Sequence, residues 1–387
     1  MRGYKQRMTV DEEVEEAGKL QSNDSTVEIV REELREATFT KRKQNRTSQW
    51  SKNRKNLGES GNQVFSTEYV NEKAKLLKRK KISLEDYRYL PNALIQSEEN
   101  IYAFLSIDQS LSGLIRDLSG NNPTFQLYAA NCCCNIALGN AKACTTLGKA
   151  VIPYLLIELE SLNHILLEVC IWTIGNLVAG SNVAFSILHA QHCLKYLTLL
   201  LSNCDDSILP SVIYALLHYV HVGFYEISKS DMEELVQVIV KRNILYEKSN
   251  FIWLLALLSS STICKTYLHS ILPQIVDHLY LLSSGPDKLA HVNEITASIR
   301  ILANTLHNSC ENKADILLRN SKYSHEDLCL LLNKLLSHQY MHIRRETLWL
   351  IGNLYNHRSS SVGKNVRDLV PFLPALNQAF LAISNCA

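Results

Sequence analysis

Trp172-Thr-Ile-Gly-Asn176 and Trp349-Leu-Ile-Gly-Asn353 are the two segments whose side chains suit a recognisable chemistry. Each sets an indole four residues before a carboxamide, and on a helix such residues share a face one turn apart. Indole faces hold the aliphatic stems of Lys and Arg and attract their charge by about 0.5–2 kcal/mol each. Carboxamides donate to and accept from a peptide backbone, at one residue in two of an extended chain. A column of such pairs suits a basic extended peptide. A lone Trp is more often a core residue. The amide on the same face weighs against that reading, because cores rarely hold amides without partners.

Other chemistries find less support. His338/His342 and His218/His221 have helical spacing for a metal, but no acidic or Cys third ligand sits at a usual distance along the chain, so no metal is expected. Cys132, Cys133 and Cys134 are consecutive, and on a helix they point around the axis rather than at one centre. The cysteines lie mostly in apolar runs and read as reduced, buried thiols. There is no glycine-rich phosphate loop, nucleophile elbow or pair of carboxylates ending an apolar helix. Neither catalysis nor a cofactor is expected.

The elements that must hold the indoles are helices. The 387 residues are 46% hydrophobic and 20% charged, with only 14 Gly and 8 Pro, which argues against a loop-rich β fold. Apolar windows such as Phe251–Leu258 are far shorter than the roughly 18 residues of a membrane span. The N-terminus lacks the apolar core of a signal peptide, so a cytoplasmic and nuclear protein is expected, without a membrane partner. One helix type recurs, over Gln126–Leu138, Ile165–Val178, Leu209–Val220, Ser249–Leu258, Ile295–Leu306 and Glu346–Tyr355.

Marked near its end, this type carries Asn135, Asn176, His218, Leu257, Asn304 and Asn353, at intervals of 41, 42, 39, 47 and 49 residues. Four residues earlier come Asn131, Trp172, Tyr214, Trp253, Arg300 and Trp349. Each interval is expected to hold two shorter helices, and three helices per roughly 42 residues is the armadillo period. The two long intervals read as loop insertions at Ser283–His291 and Ser309–His325. The expected fold is all-α: an armadillo-type right-handed superhelical solenoid of about six to seven three-helix repeats over residues 83–387, monomeric apart from partners.

Residues 1–82 form a basic arm. Residues 1–88 hold 20 Lys+Arg against 15 Asp+Glu, whereas the remainder holds 20 against 23. Such an arm binds something acidic outside or folds back on its own body. Val30–Ala37 is a short amphipathic helix candidate, and Tyr69–Lys81 a second, ending in Lys78-Arg79-Lys80-Lys81, which resembles a nuclear localisation signal as much as a solvated helix face. Residues 38–66 lack the means to build a core and are expected to be disordered alone. Trp50 and Phe65 are the only aromatics between residues 40 and 68, so nucleic acid is not an expected partner.

The Trp-x-x-x-Asn units and the repeat period resemble importin-alpha, the family of nuclear-import adaptors. An Arg replaces the Trp of one middle repeat in that family, and Arg300/Asn304 is similar to that unit. The resemblance then makes Asn131/Asn135 the second repeat, Trp172/Asn176 the third, Tyr214/His218 the fourth, Trp253/Leu257 the fifth and Trp349/Asn353 the seventh. It implies that Asn135, Trp172, Asn176, Tyr214, His218, Trp253, Arg300, Asn304, Trp349 and Asn353 bind basic signal peptides of cargo proteins. The arm is similar to the family's importin-beta-binding segment over about residues 28–58, with Leu34, Arg35, Lys41, Arg42, Lys43, Lys52, Arg54 and Lys55 as the implied contacts.

Departures from the family pattern are also visible. Asn131 and Tyr214 stand where the main cargo site has Trp, and His218 where it has Asn. Val178-Ala179-Gly180-Ser181 lacks the acidic residue that neutralises a key lysine. No eighth-repeat pair precedes Ala387. Ile152-Pro-Tyr-Leu-Leu156 and Leu167–Leu177 look like a divergent animal branch called transmembrane and coiled-coil domain-containing protein six. The functional expectation is a nuclear-import adaptor. Its alternative is an armadillo scaffold with degenerate cargo sites that holds a different extended partner.

Overall fold

A computed structural model describes residues 63–242, 249–285, 291–307 and 309–384. The chain divides into two compact units, Met1–Phe65 and Ser66–Ala387. The arm residues from Leu34 to Lys55 expected to contact importin-beta, and the Val30–Ala37 helix, lie outside the described residues.

The second unit is built from helices α1 (Thr67–Lys78), α2 (Leu84–Gln96), α3 (Glu98–Ser106), α4 (Ser110–Leu118), α5 (Pro123–Ile136), α6 (Ala141–Ile157) and α7 (His164–Gly180). It continues through α8 (Asn182–Ala190), α9 (Cys193–Asn203), α10 (Leu209–Gly223), α11 (Lys229–Arg242), α12 (Ser249–Leu258), α13 (Thr262–Leu268) and α14 (Leu272–Ser284). The last helices are α15 (Val292–Leu306), α16 (Glu311–Leu318), α17 (His325–Leu336), α18 (Met341–Tyr355), α19 (Ser360–Leu369) and α20 (Ala375–Ser384).

Local chemistry sets many of these boundaries. Asn122, Asn140 and Asn163 each accept two backbone N–H bonds at the start of α5, α6 and α7. Ser324 and Asp327 form a reciprocal capping box on α17. Pro123, Pro210 and Pro273 lie in first turns, where no N–H is needed.

The recurrent helices pack in one row: α2 on α5, α5 on α7, α7 on α10, α10 on α12, α12 on α15, and α15 on α18. The shorter helices stack outside them, α6 on α8 and α9 on α11 for example. Helix α7 shows what this sandwich demands. Ten of its residues are buried, from Leu166 to Val178, leaving a half-buried stripe that includes Glu168, Trp172 and Ala179. A helix apolar on nearly all sides is stable only with neighbours on nearly all sides.

Three expectations change. The helix assigned to the arm runs Thr67–Lys78 and buries Val70, Ala74 and Leu77 against α2, α3 and α4, so it packs as the first helix of the body. The supposed insertion Ser309–His325 contains α16, whose Ala314 and Leu317 are buried. The five residues 286–290, within the other supposed insertion, lie outside the described residues. Finally, the interval between α5 and α7 holds one long helix, α6, and a short 3-10 turn rather than two helices. Pro153 lies inside α6 on its exposed side, where water can satisfy the carbonyl that loses its partner. The described part of the interval between α10 and α12 likewise holds α11 alone.

The ten described cysteines are free, and all but Cys204 and Cys310 are buried. Burial pushes the Cys133 and Cys144 thiols up to about 12, so they pack as small hydrophobes and not as nucleophiles. Among the described residues no helix is long and apolar enough to cross a membrane, and no three His, Cys, Asp or Glu side chains gather as a metal site. His338 and His342 instead each stack on Tyr340, at 5.7 and 5.5 Å between ring centres.

Candidate peptide groove

The two columns run along the row of recurrent helices, and the carboxamides have partners within the chain. Asn135 Nδ2 donates to the Pro91 carbonyl at 2.7 Å, Asn176 Nδ2 to Cys134 O at 3.4 Å, and Asn353 Nδ2 to Ala303 O at 2.9 Å. Each acceptor is the residue just before the column position of the preceding helix. Asn304 follows the rule through a relay: its Nδ2 donates to Ser259 Oγ at 3.0 Å, and that hydroxyl donates to Ala256 O at 2.6 Å. These bonds tie consecutive repeats together.

The rule also finds a member missed in the sequence. Pro91 precedes Asn92, which stands 43 residues before Asn135 and makes α2 the first helix of the series. The interval alone would have found it. Its neighbour Pro91 and the lack of a Trp at position 88 concealed it. Asn135 and Asn176 are each only 3% exposed. Both are structural ties here, whereas Asn304 and Asn353 remain half-buried.

The indole column divides into covered and open members. Tyr214, itself buried, lays its ring 4.2 Å from that of Trp172. Its hydroxyl donates to Asn176 Oδ1 at 2.8 Å, and His218 meets it edge-on at 4.6 Å. Gly175 makes room for this: a Cβ there would stand 2.7 Å from the Tyr214 ring, far inside contact distance. Trp253 is covered differently. The Arg300 guanidinium lies 5.4 Å from its ring centre and also binds Glu346, with Nε 3.2 Å from Oε1.

Trp349 has neither kind of cover among the described residues and is 59% exposed. Gly352, which matches Gly175 in the repeated motif, has nothing within 4 Å of where its Cβ would be apart from its chain neighbours and its own helix backbone. The same five-residue motif thus closes on itself in α7 and stays open in α18. Along α18 the exposed or half-buried stripe reads His342, Arg345, Glu346, Trp349, Gly352 and Asn353. Burial and the nearby Arg300 and Arg345 guanidiniums hold His342 below the usual histidine range, against the pull of Glu346. His342 therefore adds less charge to this stripe near pH 7 than a free imidazole would.

No family model and no curated relative matches the chain. Among solved structures, an engineered protein shares 17% identity at a TM-score of 0.57, over 78% of this chain and 82% of its own. A designed armadillo repeat protein shares 16% identity at a TM-score of 0.41, over 74% of this chain and 99% of its own. Another designed armadillo repeat protein, solved in complex with the peptide (KR)4, shares 16% identity at 0.41, over 73% and 98%.

The body is an armadillo-type solenoid. Four of its units, α3–α5, α8–α10, α13–α15 and α16–α18, carry the full three helices, and α6–α7 is a shortened version. A solenoid of this kind presents long surfaces built at matched positions of one helix type.

Proposed function

We propose that this protein is a binding adaptor that takes an extended, Lys/Arg-rich protein segment along the α15–α18 end of its groove. The open Trp349 indole, with Gly352 and Asn353 beside it, carries this reading. A cationic side chain fits a bare indole on a solvated face without needing a deep pocket. The finer reading is a nuclear-import adaptor like importin-alpha. It would recruit importin-beta through the basic arm, carry signal-bearing cargo and move between cytoplasm and nucleus. The Trp-x-x-x-Asn motifs, the repeat period and the basic clusters of the arm support it. The segments Ile152–Leu156 and Leu167–Leu177 favour the divergent transmembrane and coiled-coil domain-containing protein six branch within that resemblance. No reaction is assigned to the chain.

A pull-down on purified importin-beta tests the finer reading. The full chain should be retained and a variant without residues 1–60 should not. Equal retention of the two would end the adaptor role. The second reading is a scaffold for a different extended partner, favoured by the Tyr214 ring that covers Trp172 and Asn176. It gains if basic peptides bind weakly, without salt dependence, and a non-basic segment binds better.

A further inference from the structure

We propose that Arg300 is a tethered occupant of a cation subsite formed by Trp253 and Glu346, and so decides where along the groove a peptide can carry Lys or Arg. This rests on the peptide-binding reading above and deepens it. Trp253 comes from α12, Arg300 from α15 and Glu346 from α18, three successive helices of the row. An indole face beside a carboxylate is what an incoming cation needs, and here one of the chain's own guanidiniums engages both. The Glu346 side chain is only 13% exposed, and a carboxylate so placed requires a cationic partner. The Arg300 side chain is 41% exposed, so no packed core holds it down.

The contrast with Trp172 sharpens the assignment. Tyr214 over Trp172 is buried, neutral and locked by its hydrogen bond to Asn176, so it belongs to the core. Arg300 is charged and solvent-facing, and it stands in for a ligand. A peptide cation crossing Arg300 meets a like charge and a subsite already filled. Neighbouring helices lie about 8–10 Å apart and an extended residue spans about 3.3 Å, so Arg300 lies about two or three peptide residues from Trp349.

The test uses the full chain and a fluorescein-labelled octapeptide of alternating Lys and Arg, followed by anisotropy. Arg300→Gln should bind it about tenfold more tightly than the unaltered protein. Lys149→Gln removes the same charge from an exposed place on α6, outside the row of recurrent helices, and should gain less than threefold. The gain should vanish in Arg300→Gln/Glu346→Gln and in Arg300→Gln/Trp253→Ala. A second experiment needs no variant: a single Glu walked along the peptide should strengthen binding to the unaltered protein two or three positions from the residue on Trp349, and weaken it elsewhere. The proposal is overturned if Arg300→Gln gains no more than Lys149→Gln, if the gain survives the double variants, or if every Glu weakens binding. The wider reading survives those results as long as Trp349→Ala still lowers affinity. Absence of measurable binding by every protein overturns both.

Discussion

Asn176→Ala should destabilise the body by about 2–4 kcal/mol, whereas the same change at Asn353 should cost about 1 kcal/mol. The two residues hold equivalent places in the repeat and differ in what depends on them. Asn176 joins three helices: its Nδ2 reaches Cys134 O on α5, and its Oδ1 accepts from Tyr214 on α10. Removing the amide deletes both the tie to α5 and the Oδ1 acceptor of a buried tyrosine hydroxyl, and hydrogen bonds lost in a place water does not reach cost more than exposed ones. Asn353 makes one such bond, to Ala303, in a half-buried place where water can replace it. A solenoid need not unfold in one step, so a urea midpoint is best read with hydrogen exchange helix by helix. Asn176→Ala should lose protection first in α5, α7 and α10. Equal losses for the two variants would mean that the amide ties do not hold the repeats together.

The second large effect separates two tryptophans of one motif. Trp349→Ala should weaken binding of a basic octapeptide about tenfold and leave the urea midpoint nearly unchanged. The indole is exposed and makes no ring or cation contact among the described residues, so only a ligand loses by its removal. Trp172→Ala should do the reverse: cost about 2 kcal/mol of stability through lost packing on Tyr214, and change peptide affinity less than twofold. The resemblance to import adaptors implies the opposite weighting, because it places the main cargo site around the third repeat. The covering tyrosine is what moves the expected contacts toward α18.

Much of the solenoid was legible in the sequence. Period and helix type follow from apolar spacing, which any helix sandwiched in a row must obey, and all six recurrent helices expected from Gln126 onward lie within five residues of their observed ends. Ser249–Leu258 matches at both ends. Short outer helices were harder. Nothing but Gly148 and the exposed Pro153 interrupts Ala141–Ile157, and neither breaks the helix, so two expected segments fuse. The segment around Glu311–Leu318 reads as a polar insertion because it buries little of itself, and its register is set by packing on α14 and α19.

The columns were legible as positions but not as duties. Motifs of identical spacing give Asn176 and Asn353 the same appearance. Whether an amide meets a carbonyl of its own chain or of a ligand depends on the preceding repeat, 42 or 50 residues away. Likewise Tyr214 reads as a weakened Trp, whereas its ring and hydroxyl fill the space that Gly175 leaves. Arg300 reads as a contact residue, and its partners Trp253 and Glu346 come from helices on either side.

Photo-crosslinking shows most directly where a peptide lies. A Lys/Arg-rich octapeptide bearing one benzophenone residue, irradiated with the full chain and mapped by mass spectrometry, should label Val292–Leu306 and Met341–Tyr355, and the labelling should fade in Trp349→Ala. Adducts confined to the outer helices, or centred on α5, α7 and α10 and unaffected by Trp349→Ala, would contradict the account.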